Sequence, residues 1–256
     1  MRTLLSAFIA LLTLTAAGAH AEETRVSVFA RSADAKFIGD GMGGMTVVLE
    51  NADTGEVLAS GVTRGGTGDT GLLVPETRER YADIVTEDAA RFTATLDIER
   101  PMRVRATVAG PNGQRQAGAE ASQVRWILPG RHLEGDLGWI VEVPGLAVDI
   151  LSPPAHQYVS GGPETMEIAA NVVFLCGCGT SPEGVWDADA LDIVAEVRRD
   201  GAVTATHELD YAGERSQYAV EIDASEPGLY TVTVTAFDRR TGNSGADFTS
   251  FIIREE

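Results

Sequence analysis

The chain has 256 residues, 38 acids against 20 bases and a formal net charge of −18. So acidic a surface argues against nucleic acid and anionic membranes as partners. It suits a solvated exterior, a cationic partner or cation binding. There are only two cysteines, too few for a small disulfide-stapled scaffold.

Residues 1–21 read as an export signal. Arg2 supplies the positive start, Leu4–Leu14 a short apolar core, and Ala19-His20-Ala21 a small-x-small cleavage site before Glu22. The apolar core is too short to anchor the chain in a bilayer, and no later stretch reaches membrane length. No cysteine follows the cleavage site, so lipid anchoring is not expected. The expectation is a periplasmic or secreted protein in an oxidising compartment.

The remaining chain, about 235 residues, is long enough for one large core or two ordinary ones. Its charge is lopsided. Residues 22–145 hold 19 acids and 13 bases, and residues 146–256 hold 19 acids and 6 bases. Lys36 is the only lysine.

Short alternating runs begin at once. Arg25–Arg31 places Val26, Val28 and Ala30 on one face of a strand. Met45–Asn51 and Glu56–Val62 follow, joined by the turn Ala52-Asp53-Thr54-Gly55. These three are expected to form a meander. Gly65–Gly71 lacks a downstream Lys-Ser/Thr and reads as a plain loop rather than a phosphate loop. Pro75 then opens the one helix the pattern predicts, Glu76–Ala90. Tyr81, Ile84, Val85 and Phe92 recur there at helical spacing, and Glu76 and Glu79 sit in the first turn. Strands resume at Phe92–Ile98, Met102–Ala109, Ser122–Leu128 and Trp139–Val143.

The run from Met45 through Thr63 resembles the carboxypeptidase regulatory-like, or transthyretin-like, β-sandwich module. That resemblance implies a non-catalytic domain set beside another. The family's Thr-Asp-x-x-Gly-x-Phe continuation does not follow Thr63.

Pro144-Gly145 marks the expected boundary. Strands follow at Leu146–Leu151, Met166–Leu175, Leu191–Arg199, Val203–Tyr211, Gln217–Ile222, Leu229–Phe237 and Asp247–Ile253. Seven strands with turns between them predict a second sandwich. Pro227-Gly228-Leu229-Tyr230 and the run on to Asp238 resemble a late strand of bacterial immunoglobulin-like or fibronectin type III-like domains. In that resemblance Tyr230 takes the corner-tyrosine role. The reading is thus all-β: two tandem β-sandwiches, residues 22–145 and 146–256, with one short helix in the first.

The cysteines, Cys176 and Cys178, stand in Asn171-Val-Val-Phe-Leu-Cys-Gly-Cys-Gly179 at the mouth of an apolar strand. In an extended strand, residues i and i+2 share a face with Cα atoms roughly 6.6 Å apart, the upper edge of disulfide geometry. Gly177 and Gly179 allow a bend that brings the sulfurs closer. Three readings stay open: a soft-metal chelate, because paired thiolates select Cu(I) or Zn; a reducible disulfide; and an inert pair.

His156, just before the cysteine strand, and Met166, at its start, are the expected further copper ligands. Met42 and Met45, in Gly-Met-Gly-Gly-Met, are soft thioethers too, although gap-filling is methionine's commoner use. His132 and His207 have no partner at ligand spacing. Asp187, Asp189 and Asp192 are hard oxygen donors, but they lack the glycine and terminal Glu of a calcium loop, so calcium is not expected. Trp186 is placed to pack against the cysteine pair. No nucleophile elbow, His-Glu-x-x-His or nucleotide fingerprint occurs. The expected class is therefore a non-enzymatic binding or interaction protein, with another exported protein as partner.

Overall fold

A computed structural model describes residues 21–160 and 165–255. Apart from its last residue, the export segment lies outside the described residues. The first half holds β1 (Glu22–Ser32), β2 (Thr46–Asn51), β3 (Val57–Val62), β4 (Phe92–Ile98), β5 (Met102–Gly110), β6 (Ala119–Ile127) and β7 (Trp139–Val143). The second holds β8 (Leu146–Ser152), β9 (Gln157–Ser160), β10 (Thr165–Phe174), β11 (Leu191–Arg199), β12 (Ala202–Glu208), β13 (Asp210–Tyr211), β14 (Gln217–Asp223), β15 (Gly228–Asp238) and β16 (Ser244–Arg254).

The strands form four sheets, two in each half: β4-β1-β7 with β3-β2-β5-β6, then β13-β14-β10-β8 with β12-β11-β15-β16-β9. No named strand of one half joins a sheet of the other. The protein is all-β, with tandem sandwiches. Alternation explains the packing: Ala94, Leu96 and Ile98 of β4, and Ile168, Ala170, Val172 and Phe174 of β10, point inward while their neighbours face out. Tyr230 makes the expected corner, donating its hydroxyl hydrogen to the Glu226 carbonyl at 2.9 Å.

Two local expectations change. β1 does not join β2 and β3 in a meander. It runs antiparallel to β4 and parallel to β7 in the opposite sheet. Its residues 26–30 are buried on both faces, Ser27 at 3% exposure included, as a strand between two neighbours and beneath a long loop requires.

The helix expected over residues 76–90 is absent. Upstream of Pro75, the four residues Thr70–Leu73 (α1) make the one α-helix among the described residues, capped by the Asp69 carboxylate accepting from the Leu72 N–H. Residues 76–90 run as bends and turns. Tyr81 is 87% exposed and contributes to no apolar stripe. Ile84 and Val85 pack beside Phe29 and Phe37, and both backbone N–H groups donate to Asp136 Oδ1, at 2.7 and 2.9 Å. A carboxylate on another loop thus takes the hydrogen bonds a helix would have made.

The halves meet through specific bonds. Asn243, 2% exposed, donates to the Ala33 carbonyl at 3.1 Å and accepts from the Gly145 N–H at 2.8 Å. Trp186 Nε1 donates to the Asp34 carbonyl at 3.0 Å.

Candidate functional site

The cysteines sit in a tight turn at the end of β10, not within an extended strand. The Gly177 N–H donates back to the Phe174 carbonyl at 2.7 Å, and the Phe174 N–H donates forward to the Cys178 carbonyl at 3.0 Å. Gly177 has φ +78°, the left-handed region that favours glycine. The bend shortens the Cys176–Cys178 Cα separation to 5.3 Å, and the pair forms a disulfide.

The return path is fixed by hydroxyls. Thr180 Oγ1 bonds the Val172 carbonyl at 3.2 Å and the Tyr218 hydroxyl at 2.8 Å, while the Thr180 N–H donates to Ser216 Oγ. Burial pushes the Tyr218 phenol above its usual range. Gly179 passes so close to Ser216 that a Cβ there would lie 2.6 Å from Oγ. The turn is therefore held from both sides before any ligand is considered.

Cys176 and Cys178 are 4% and 6% exposed and belong to the buried cluster shared by both sandwiches. Trp186 tilts against Phe174 with ring centroids 5.9 Å apart. It packs on the residue that starts the turn and ties the loop to Asp34.

The other sequence-selected residues separate. Met166 lies eight strand residues before Phe174, roughly 26 Å along β10 from the turn. His156 donates its N–H to the Ser250 carbonyl and sets its ring edge-on to Tyr158, with centroids 5.1 Å apart. Ser250 is five residues along β16 from Gly245, which packs on Leu146 beside Phe174, so His156 sits roughly 17 Å from the turn. Neither joins the cysteines.

Two of the three aspartates are taken up by arginines. Asp187 accepts from the Asp189 N–H and from Arg240, and these contacts hold its carboxyl below the usual range. Asp192 pairs with Arg239 at 3.4 Å. Met45 is buried in the first sandwich, where its Sδ lies against Gly110.

Met42 does reach the site. It ends a 3₁₀ turn, Asp40–Met42, and is 6% exposed. Its Sδ lies 3.2 Å from the position a Cβ on Gly177 would take. The sequence signal was its thioether in a glycine-rich loop; nothing local pointed to Gly177, which is 135 residues away. Among the described residues no three His, Cys, Asp or Glu side chains group as metal ligands.

Tandem sandwiches with a buried Cys-Gly-Cys turn at their meeting point define the class. No protein-family model and no curated protein matches the chain. Among solved structures it is similar to an engineered protein (18% identity, 50% of this chain, TM-score 0.32), spanning only 24% of that protein's length. It is similar to CopC from Methylosinus trichosporium OB3b, at 15% identity over 44% of this chain and 95% of that one, TM-score 0.31. It is also similar to the fibronectin(III)-like modules of Clostridium thermocellum CbhA, at 12% identity over 90% and 91%, TM-score 0.29. The fold assignment rests on the strand order and pairing themselves. Among the described residues no helix is long and apolar enough to cross a membrane.

Proposed function

We propose that the chain is an exported, non-enzymatic binding protein whose Cys176–Cys178 pair, once reduced, takes one soft cation, Cu(I) foremost. The observation that supports this is a bridge enclosing a single residue, with its Cα atoms 5.3 Å apart. A loop that short removes little entropy from the unfolded chain, so stabilisation is a weak reason for the pair. Two thiolates on one turn are a ligand set that Cu(I) prefers over hard cations. His156 and Met166 lie away from this turn. The leader at residues 1–21 supports a periplasmic or secreted location, and the acidic exterior favours an exported protein partner that delivers or receives the cation over nucleic acid.

The test is anaerobic titration of reduced protein with Cu(I) against a weak chelator. Uptake of about one Cu(I) per chain is expected from the ligand count, with none in the Cys176→Ser/Cys178→Ser variant. No uptake by the wild type overturns the proposal.

One observation favours a second reading. Both cysteines are nearly enclosed within the shared core, as suits an inert brace for a partner-binding platform. That reading predicts a bridge that resists dithiol reduction in the folded protein. A bridge that exchanges freely with dithiols while the chain takes up no metal would instead mark a thiol–disulfide redox protein.

A further inference from the structure

We infer that Met42 is the third sulfur ligand of this site, so that the cation is gripped by both sandwiches at once. The inference rests on the metal reading above and goes beyond it by drawing in a ligand from the other half of the chain.

Three observations carry it. Met42 Sδ lies 3.2 Å from where a Cβ on Gly177 would be, and Gly177 is the residue between the two cysteines. A side chain at 177 would therefore press on the thioether, which packs directly against the bare glycine, and the left-handed φ of +78° favours glycine there. Second, the Met42 backbone is fixed. Its N–H donates to the Gly39 carbonyl at 3.0 Å, and its carbonyl accepts from the Gly113 N–H at 2.9 Å. The side chain is left with three rotatable bonds with which to swing sulfur toward a metal. Third, Met42, Cys176 and Cys178 are each at most 6% exposed.

Charge decides what such a place tolerates. Two thiolates and one Cu(I) already carry a net −1. A third thiolate would bury a second negative charge at a high desolvation cost, whereas a thioether completes a three-sulfur shell with no added charge. The same neutral side chain packs as an ordinary apolar group when the bridge is oxidised.

The steps balance. An exported dithiol gives two electrons and two protons to the bridge and leaves as its own disulfide, while Cys176 and Cys178 become thiols. Cu(I), delivered in that oxidation state, then displaces both thiol protons to solvent. Copper changes oxidation state nowhere.

The experiment uses full-length reduced protein loaded anaerobically with Cu(I). X-ray absorption is expected to count three sulfur neighbours in the wild type and two in Met42→Leu, a nearly volume-conserving swap. Competition with a Cu(I) chelator should show the variant weaker by at least about tenfold, the scale on which metal sites respond to a lost supporting group. Two sulfurs in the wild type, or equal affinity and sulfur count in both proteins, overturns this inference and leaves the metal reading standing. No Cu(I) uptake by the wild type overturns both. If Met42→Leu does not fold, the sulfur count of the wild type decides alone.

Discussion

Two long connections solve one problem in different ways. Residues 63–91 join β3 to β4, and residues 175–190 join β10 to β11. Each must hold a lengthy excursion against a sandwich with little regular structure. The first does so with an apolar plug: Leu73, Ala89 and Ala90 pack with Phe29 and Phe37. Its ends are sewn together by the Arg64 and Arg91 backbones, which exchange two hydrogen bonds of 3.0 Å. The second relies on a covalent turn, a hydroxyl cluster at Thr180, and Trp186 reaching the other sandwich. The first loop is tied to its own sandwich, and the second is tied across both. Apolar residues spaced like a helix can therefore be a plug.

Hollowing out the surface that the plug packs on should have the largest effect. Phe37 is fully buried, with its ring 5.3 Å from that of Phe29. Phe37→Ala is expected to cost about 3–5 kcal/mol in denaturant unfolding. Hydrogen exchange should quicken across residues 63–91 and stay unchanged across 175–190; a uniform rise would erase the contrast between the loops.

Cutting the covalent turn should cost less. The chain-entropy relation for a closed loop of three residues gives about 1.6 kcal/mol. Cys176→Ser/Cys178→Ser should therefore fold and melt slightly early. A variant that does not fold would make the bridge a structural necessity.

Asp136→Ala sharpens the contrast from the other side, because it removes the acceptor for the Ile84 and Val85 N–H groups. The loss should be about 1 kcal/mol, since solvent partly replaces the acceptor, with local exchange rising at residues 84 and 85.

The smallest effect lies outside both loops. Burial, and then the charge of Asp247, push the Asp149 carboxyl above its usual range. The folded state then binds that proton more tightly than the unfolded chain does. Between the ordinary and the raised value, stability falls as pH rises. Asp149→Asn should melt slightly above wild type at pH 7, and the difference should vanish below about pH 3, where both states are protonated. A difference that persists in acid would point to packing rather than charge.

Much of the strand content was legible because alternation records which face is buried, as in β4 and β10. The corner at Tyr230 was legible from the resemblance to immunoglobulin-like domains, and its hydroxyl bond to the Glu226 carbonyl is the one such a corner makes. Strand neighbours were not. Val26, Val28 and Ala30 announce a buried face but carry no mark that β4 and β7 flank them. Short β9, in which Gln157, Tyr158 and Ser160 all lie exposed, left no alternating signature. At the site, the cysteines and both loop methionines stood out by sulfur chemistry, yet only a tertiary contact selects Met42 and sets His156 and Met166 apart.

The buried cluster runs without a break from Val26 to Ile253, passing through Met42, Leu146, Leu175 and Trp186 where the sandwiches meet. Unfolding either half would strip apolar cover from the other. The chain should therefore melt as one cooperative unit, with calorimetric and van't Hoff enthalpies in agreement. Either half made alone should present a greasy end face that drives it to self-associate.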